Sequence, residues 1–440
     1  MRFLFINQYY APDYAATAQQ LADLCEKLAS LGHEVHVLTS RAIYDGRQLE
    51  LPEEEVLNGV HVHRVGLAST GRERIRQRLM GYLSFYVKAF AKINFLPKPD
   101  VVVTLTTPPM ISLLGTWLRL VKKTRFVYWV MDVYPDIAIH AGVLKRMGPT
   151  RTVWSALGRL SYLTANRVIV LGEDMKSVIG RKGNNAHKTD VINSWSSGKE
   201  VFPVPAEENS FRQQHLKADA FCLMYSGNAG TCHAFEGTIA GIKSLAGDSS
   251  VHFSFVGGGK QIPRLKEELG SQKENVAFLP YQDRKDLALS LSAPDAHLIT
   301  LQPRYDGLLV PSKMFGIMAA GRAVLFAGSE QNEIARIIRA AKCGLVIPPD
   351  DGAAFAEAVR WMAQNRDEVR QMGERGRAYF EQNFDTEILT TRFAMLLEKE
   401  GLQPGVRGMR ALAHKTLAFV TPPAGASSDS SSSATGLMRN

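Results

Sequence analysis

The stretch VPSKMFGIMAAGRAVLFAG, residues 310–328, decides how the second half of the chain is arranged. A loop through Pro311, Ser312 and Lys313 leads into an apolar helix, and a Gly-Arg pair separates that helix from a strand. Proline suits the start of a helix, and we expect Ser312 to cap the free N–H groups there. Lys313 adds a positive charge where the helix dipole favours an anion, so these residues predict a phosphate site. The alternative is an ordinary α/β crossover with a solvated lysine.

Length and composition set the outer bounds. At 440 residues the chain is too long for one core, so we expect two domains. The net charge of +9 favours an anionic partner, such as a phosphate ligand, a nucleic acid or an acidic membrane. The four cysteines form no C-x-x-C pair and are typical of a reducing compartment. We find no signal-peptide pattern and no apolar run of about 18 residues, so we expect no spanning helix.

The first half begins with a strand, a helix and a strand, at residues 2–7, 18–31 and 34–39. This βαβ unit implies a parallel sheet. Further apolar runs, which we expect to be strands, lie at 60–65, 101–105, 126–130 and 167–171. The half is therefore Rossmann-like, although its first loop lacks the G-x-G-x-x-G dinucleotide fingerprint.

The segment YWVMDVYPD, residues 128–136, runs off the end of a strand. Ligands of open α/β sheets bind beyond the carboxyl ends of the strands, so Asp132 and Asp136 are candidates for binding a hydroxyl group or accepting its proton. Both could instead serve in turns and helix caps. We favour function for Asp132 and capping for Asp136.

Residues 72–95 combine apolar residues at helical spacing with a high density of positive charge. A basic amphipathic helix with aromatic residues is typical of contact with an anionic bilayer. The candidate membrane-contact residues are Arg72, Arg74, Arg76, Arg78, Lys88 and Lys92. A second apolar and basic run follows at 110–125. Two core helices with solvated basic faces are the alternative.

A second α/β pattern begins at Phe221, and its strands end in glycine-rich or polar turns. Backbone N–H groups can approach a bound anion at such turns. Together the turns predict a nucleotide diphosphate site at one sheet edge. Its candidate residues are Gly227, Asn228, Gly258, Gly259, Lys260, Tyr281, Pro311, Ser312 and Lys313.

An ordered set of motifs resembles the family-4 glycosyltransferases, which have the two-domain GT-B fold. The set runs from residue 1 to about 401 and comprises YYAPDYAATAQQLADLCEKLASLGHEVHVLT at 9–39, TTPP at 106–109, DVYPD at 132–136, VIVLGEDM at 168–175, MYSGNAG at 224–230, FVGGGK at 255–260 and PSKMFGIMAAGRAVL at 311–325. The chain is most similar to the bacterial subgroup that builds exopolysaccharide or O-antigen repeat units, including proteins assigned as L-fucosaminyl transferases.

The resemblance implies an α/β protein with two Rossmann-like domains facing a cleft. We expect an acceptor-binding domain at 1–195 and a nucleotide-sugar-binding domain at 205–380. A C-terminal helix at 381–402 should pack back on the first domain, and a basic, then serine-rich tail at 403–440 should be largely disordered.

The implied reaction is transfer of a hexosyl or amino-sugar group, with retention, from a nucleoside diphosphate sugar to a polyprenyl-diphosphate-linked saccharide. We expect no metal or other cofactor and no nucleic-acid partner. The protein should be cytoplasmic and peripherally attached to the inner face of the plasma membrane. Asp132 and Lys313 are the candidate catalytic residues, Asp132 at the acceptor hydroxyl and Lys313 at the departing diphosphate.

Two departures from the family affect the site residues. The family commonly has two glutamates separated by seven residues, and those positions hold Leu308 and Gly316. The usual Gly-Gly of the first loop is an Ala-Ala pair here, and the acceptor-side candidates beside Asp132 and Asp136 are Ala15, Ala16 and Thr17. Downstream, Glu333 could contact ribose or sugar hydroxyls, or it could serve only at a helix N-terminus.

Two other functions stay open at the level of sequence. A sugar-nucleotide 2-epimerase shares the two-domain fold, although the basic amphipathic helix argues against it. The missing glutamates are also compatible with a protein that binds a nucleotide sugar without transferring it.

Overall fold

The protein is described from a computed structural model. The residues that it describes are 1–43, 50–67, 75–144, 148–183, 185–270 and 274–403. The expected tail lies almost wholly outside these residues, as do Arg72 and Arg74.

The first domain is built on an eight-stranded sheet in the order β3-β4-β2-β1-β5-β6-β7-β8. Its strands are β1 Arg2–Ile6, β2 Glu34–Ser40, β3 Glu54–Leu57, β4 Val60–Val65, β5 Val101–Thr104, β6 Arg125–Trp129, β7 Arg167–Val170 and β8 Thr189–Val191. All neighbours pair in parallel except β3 and β4. Central strands such as β5 are buried along their whole length, as their runs of valine predict.

The helices of this domain cover both faces of the sheet. They are α1 Ala16–Ser30, α2 Ile75–Phe95, α3 Ser112–Val121, α4 Asp136–His140, α5 Pro149–Thr164 and α6 Glu173–Arg181.

The second domain has a six-stranded parallel sheet in the order β11-β10-β9-β12-β13-β14. Its strands are β9 Phe221–Asn228, β10 Val251–Gly258, β11 Val276–Leu279, β12 Ala296–Thr300, β13 Ala323–Ala327 and β14 Gly344–Ile347. Its helices are α7 Ser210–His215, α8 Glu236–Ser244, α9 Ile262–Leu269, α10 Leu287–Ser292, α11 Lys313–Ala319, α12 Glu333–Ala341, α13 Gly352–Gln364 and α14 Arg366–Asn383.

Each sheet reverses its winding once, between β1 and β5 in the first domain and between β9 and β12 in the second. Ligands of doubly wound sheets bind at such reversals, beyond the carboxyl ends of the strands. The loops that follow these four strands are therefore the places to look for a site.

The last helix, α15 Thr386–Gly401, returns to the first domain and packs against α1. Its Glu400 is 3% exposed and accepts hydrogen bonds from Arg125 at 2.7 Å and Arg167 at 2.6 Å. The returning helix confirms the expected architecture. The long helical run after residue 366 is broken near Asp385, whose carboxylate caps α15 by accepting from the Glu387 N–H at 3.0 Å.

Candidate donor and acceptor site between the two domains

Lys313 is the first residue of α11, and its side chain ends inside the protein. The Nζ atom is buried and makes no hydrogen bond to any described residue. It lies 3.7 Å from the centroid of the Tyr225 ring, which is a cation–π contact. Burial lowers the pKa of Lys313 to about 7. Because a buried cation without an anion costs free energy, this ammonium has much to gain from an anionic ligand.

The glycines predicted as turns after β9 and β10 instead extend both strands. Gly227 pairs with Gly257, and Asn228 pairs with Gly258, in continuation of the parallel register. Gly227 has φ +118°, and a Cβ there would lie 3.7 Å from the Lys313 Nζ. The bare backbone of this strand end therefore runs alongside the unpartnered ammonium.

The loop after β9 is held in place by side-chain amides. The Nε2 groups of Gln261 and Gln302 donate to the carbonyl of His233 at 2.9 and 3.0 Å. The His233 ring donates from Nδ1 to the Thr300 carbonyl at 2.6 Å. Burial, with a smaller contribution from Lys313, lowers the pKa of His233 to about 3. The imidazole is therefore neutral and adds no second positive charge beside Lys313.

Asp132 follows β6 in the first domain, beyond the carboxyl end of that strand. Its carboxyl is half-buried, and burial raises its pKa to about 6. Burial also raises the pKa of the Cys232 thiol, while Lys313 lowers it and Asp132 raises it by smaller amounts. Cys232 is thus within electrostatic range of both Asp132 and Lys313, the predicted acceptor-side and donor-side groups.

Asp136 does not share this arrangement. It is the first residue of α4, and its carboxylate accepts from the Lys182 ammonium at 2.7 Å. The carboxylate thus joins α4 to α6 in an ion pair. The predicted helix cap at Asp136 is wrong, because Pro135 holds the cap position and no side chain caps the helix. The acceptor-side role of Asp136 stays a prediction.

The other acceptor-side candidates lie at the start of α1. Ala15 is buried and its N–H donates to Asp13 at 2.9 Å, while Ala16 is exposed and Thr17 half-buried. Their roles stay predictions.

Two polar residues near these candidates were missed in the sequence. Gln8 follows β1 and Thr106 follows β5, so both lie where the first sheet reverses its winding. The Gln8 Oε1 and Thr106 Oγ1 atoms are buried without a hydrogen-bond partner among the described residues. Their positions directly after buried strands were the available signal.

Ser312 corrects a prediction about the helix start. It precedes α11, but its side chain makes no capping hydrogen bond. Its own backbone is already helical, with φ −63° and ψ −19°, whereas a capping residue normally has an extended backbone. The Phe315 N–H donates to the Ser312 backbone carbonyl at 3.2 Å. Pro311, which is buried, and Ser312 remain beside Lys313, but the predicted cap is wrong.

Glu333 corrects a second prediction. Its carboxylate is 1% exposed and accepts from the Glu173 N–H and from the Asn193 amide, both at 3.0 Å. Arg336 donates two more hydrogen bonds, from Nε at 3.0 Å and from Nη2. The carboxylate is thus occupied by protein groups of both domains, so the predicted contact with the donor is wrong.

The remaining donor-side candidates lie at the rim. Tyr281 is 61% exposed, and a Cβ on Gly258 would lie 2.8 Å from its ring, so the ring rests on that glycine backbone. Gly259 has φ +122° and approaches the backbone of Ala229. Lys260 is exposed. Donor contacts by these residues stay predictions.

The protein-family models that match the chain divide it at the same place as the two sheets do. Residues 16–195 match the family described as Glycosyl transferase 4-like domain, and residues 223–365 match Glycosyl transferases group 1. A relative from Pseudomonas aeruginosa, named "Probable glycosyltransferase WbjE", is 30% identical over 331 residues, which cover 74% of this chain and 80% of WbjE. The chain belongs to the family-4 glycosyltransferases.

Two further likenesses fit this membership. WcaI of Escherichia coli K12, whose name refers to colanic acid biosynthesis, is 25% identical over 356 residues, or 77% of the transferase and 86% of WcaI. The structure of HepE from Anabaena in complex with UDP-glucose superposes with a TM-score of 0.65 at 15% identity, covering 91% of the transferase and all of HepE. The latter likeness shows a shared GT-B fold.

The positions aligned with the family's glutamate pair hold a buried leucine and a closely packed glycine. Leu308 is 6% exposed, and its carbonyl accepts from the Val133 N–H at 2.9 Å across the domain boundary. A Cβ on Gly316 would already lie 3.2 Å from a methyl group of Leu291. At the first position a buried leucine joins the two domains through its backbone, and at the second two helices lie in close contact.

The outer surface of the first domain carries an apolar strip on α2 and α3. The helix α2 packs inward through Phe85, Ala89 and Ile93. Its opposite face exposes apolar side chains, and Phe90 contacts Trp117 of α3 with ring centroids 5.1 Å apart. The exposed apolar residues of this strip are Met80, Leu83, Val87, Phe90, Trp117, Leu120 and Val121. Such a contiguous apolar face is typical of an interaction surface.

Positive charges flank the strip only in part. Lys88 is exposed, whereas Lys92 is paired with Glu54. The side chains of Arg76 and Arg78 lie outside the described residues, as do Arg72 and Arg74. In the described ranges, no helix is long and apolar enough to cross a membrane. Within the same residues, no group of three or more His, Cys, Asp or Glu side chains is arranged to hold a metal ion.

Proposed function

We propose that the chain transfers a sugar from a nucleoside diphosphate sugar, held by the second domain, to a lipid-linked saccharide, held by the first. The observation that carries this proposal is the buried and unpartnered ammonium of Lys313 beside the glycine ends of β9 and β10. HepE, which shares the fold, was solved with UDP-glucose. The name of WcaI supports a role in the biosynthesis of a bacterial surface polysaccharide.

The departing diphosphate needs positive charge and N–H donors. Lys313 supplies a cation that protein groups do not neutralise, and the strand end at Gly227 leaves room for a ligand to approach the backbone. A charge in a water-poor site acts more strongly than the same charge in water. The proposed role of Lys313 is therefore to stabilise the leaving group as its negative charge develops.

Asp132 is the proposed group at the acceptor hydroxyl. A carboxyl with a pKa of about 6 is mostly ionised at pH 7, yet basic enough to accept a proton. In a retaining reaction the departing phosphate can also take this proton, which leaves Asp132 to orient the hydroxyl. Retention itself is carried over from the resemblance to the family, as is transfer without a metal. Full transferase activity after treatment with a chelator would support transfer without a metal. Loss of activity that Mg²⁺ restores would overturn it.

A nucleotide-sugar panel tests the donor assignment. The free enzyme is heated with UDP-, GDP- and dTDP-sugars, since a ligand that binds only the native state raises the melting temperature. We expect one nucleotide class to stabilise the wild type and to lose this effect in Lys313→Ala. Lys285→Ala removes an exposed lysine of the same domain and is the matched control.

Product analysis with the stabilising sugar separates the candidate reactions. Transfer to a lipid-linked saccharide with retained anomeric configuration supports the proposal. An epimerised donor formed without acceptor would show a 2-epimerase instead. Binding without turnover of any kind would show a non-catalytic protein.

Attachment to the inner face of the plasma membrane follows from the strip on α2 and α3. Apolar side chains beside positive charge bind anionic bilayers through both burial and attraction. We expect the protein to sediment with vesicles containing anionic lipid and to be released by salt. Met80→Ser should weaken sedimentation, whereas Met395→Ser, at an exposed methionine of α15, should not. Failure of the wild type to sediment at low salt would contradict this attachment.

A further inference from the structure

The two domains are joined by helix starts that cap each other. Glu333 begins α12 in the second domain, and its Oε2 accepts from the Glu173 N–H at the start of α6 at 3.0 Å. In return, Asp174 Oδ2 accepts from the Glu333 N–H at 3.2 Å. Each helix thus receives at its positive end a carboxylate from the other domain. We call these two hydrogen bonds, from the Glu173 N–H to Glu333 and from the Glu333 N–H to Asp174, the interdomain cap.

The two carboxylates of the interdomain cap are withdrawn from water to different degrees, since Glu333 is buried and Asp174 is half-buried. Glu333 is 1% exposed, and Asn193 of the first domain donates a further hydrogen bond to it at 3.0 Å. Burial also raises the pKa of Asp174, so this carboxyl gives up hydration when the domains meet. Such burial of charge is favourable only while the partner N–H groups are in place. The contact therefore distinguishes a closed arrangement of the domains from an open one.

The interdomain cap lies next to the segments that carry the site. A Cβ on Gly307 would lie 3.0 Å from the Asp174 carbonyl, so the loop after β12 rests against α6. One residue further, the Leu308 carbonyl accepts from the Val133 N–H. Val133 follows Asp132 directly, and the same loop leads to Lys313.

We propose that Asp174 and Glu333 are positioning residues that hold the two domains in the arrangement in which the segment carrying Asp132 docks on the loop that leads to Lys313. The interdomain cap forms when the cleft closes and must break when it opens. For its kinetic readout this inference rests on the proposed transfer reaction, whereas its structural readout does not.

A single methyl group provides the sharpest test. Gly172 has an extended backbone, with φ −169°, so alanine fits the conformation. A Cβ there would lie 2.7 Å from Glu333 Cγ and 2.8 Å from Cδ, too close for the present contact. Gly180→Ala is the matched control. Gly180 lies within α6, the helix that Gly172 precedes, and a Cβ there would meet only the Ala186 methyl group at 3.5 Å, an ordinary contact.

Small-angle X-ray scattering and kinetics are measured on wild type, Gly172→Ala and Gly180→Ala with saturating nucleotide sugar. We expect Gly172→Ala alone to increase the radius of gyration. Its kcat should fall by roughly 10²-fold, the effect of misplacing reacting groups by about an ångström. The dissociation constant of the donor should change by less than about twofold, because the donor site lies within one domain. An unchanged radius of gyration and kcat in Gly172→Ala would overturn the proposal.

A second pair of variants guards against misfolding of the first. Asp174→Asn keeps an oxygen that can accept from the Glu333 N–H, whereas Asp174→Ala removes it. We expect the asparagine variant to stay closed and the alanine variant to open, and equal behaviour of the two would overturn the role of the interdomain cap. If the wild type itself transfers no sugar, the scattering result still decides closure, and only the proposed function fails.

Discussion

Lys313 and Glu333 both carry an ionisable side chain, both begin a helix that follows a strand of the second sheet, and both have that ionisable group buried. They differ in their partners. The ammonium of Lys313 has no hydrogen bond to any described residue. The carboxylate of Glu333 has three kinds of donor around it, from Glu173, Asn193 and Arg336.

The difference separates ligand binding from structure. A buried charge whose partners are all supplied by the protein stabilises the fold or the docking of its parts. A buried charge without partners destabilises the fold, and such a residue is kept where a ligand completes it. This argument supports the proposed assignment of Lys313 to the donor site and of Glu333 to the contact between the domains.

The largest expected effect is the loss of transfer activity in Lys313→Met. We expect transfer to slow roughly 10²–10³-fold, which is about 2.7–4 kcal/mol of transition-state stabilisation. The free energy of unfolding without ligand should be unchanged or higher, because methionine fills the space without an unpaired charge. Both quantities are measured on one preparation, by steady-state kinetics and urea unfolding. A variant that loses stability together with activity would make Lys313 a structural residue and break the comparison.

The pH dependence of donor binding gives the next largest effect. The pKa of Lys313 is about 7 without ligand, because burial lowers it, and a bound diphosphate must raise it. Binding therefore takes up a proton above pH 7. The affinity for a nucleotide sugar should fall roughly 15-fold between pH 7 and 8.5, and should level off below pH 7.

The other titratable groups near Lys313 keep the same protonation state between pH 7 and 8.5. His233 and His297 are neutral there, with pKa values lowered by burial to about 3 and about 4. Burial raises the pKa values of Tyr225 and Cys232, so both are protonated, and Asp132 is mostly ionised. Calorimetry in buffers of different ionisation enthalpy measures the proton uptake directly. Uptake that persists in Lys313→Met would assign the proton to another group.

Much of this site could be predicted from local pattern. The strand at Val60–Val65 has the predicted bounds. Lys313 and Gly227 meet because Gly227 lies at the carboxyl end of β9 and Lys313 follows the neighbouring strand β12 of the same parallel sheet. Patterns of apolar residues fix strands, and parallel strands bring their carboxyl ends to one edge. Nothing beyond sequence order was needed for that prediction.

The parts that could not be predicted depend on tertiary contacts. The interdomain cap joins residues 159 positions apart through the docking of two domains. The apolar residues of α2 were expected on one face, yet Phe85 is buried while Leu83 and Phe90 are exposed, because the helix has a second apolar face. Ser312 has the residue type of a cap, but its helical backbone rules out the capping geometry. Residue type and spacing carry no information about which of two apolar faces meets the core.

Glu333→Ala tests whether Glu333 stabilises the contact between the domains. We expect the free energy of unfolding to fall by about 1–3 kcal/mol, because the Glu173 N–H and the Asn193 amide lose their acceptor in a buried place. Binding of the nucleotide sugar to the folded protein should be retained. Urea unfolding and calorimetry measure the two quantities. Loss of donor binding with unchanged stability would return Glu333 to the donor site and reverse the assignment.

The smallest expected effect concerns the glycine beside Lys313. Gly227 has φ +118°, which side chains rarely allow, so Gly227→Ala should lower the free energy of unfolding by about 1–2 kcal/mol. Gly230→Ala is the control, because a Cβ there would meet only the Asn228 amide at 3.6 Å. Both variants are compared by urea unfolding with and without nucleotide sugar. If the bare backbone at Gly227 is where the diphosphate approaches, only Gly227→Ala should also lose stabilisation by the ligand. Equal stabilisation of both variants would place the diphosphate elsewhere and leave Lys313 a cation whose ligand does not touch this strand end.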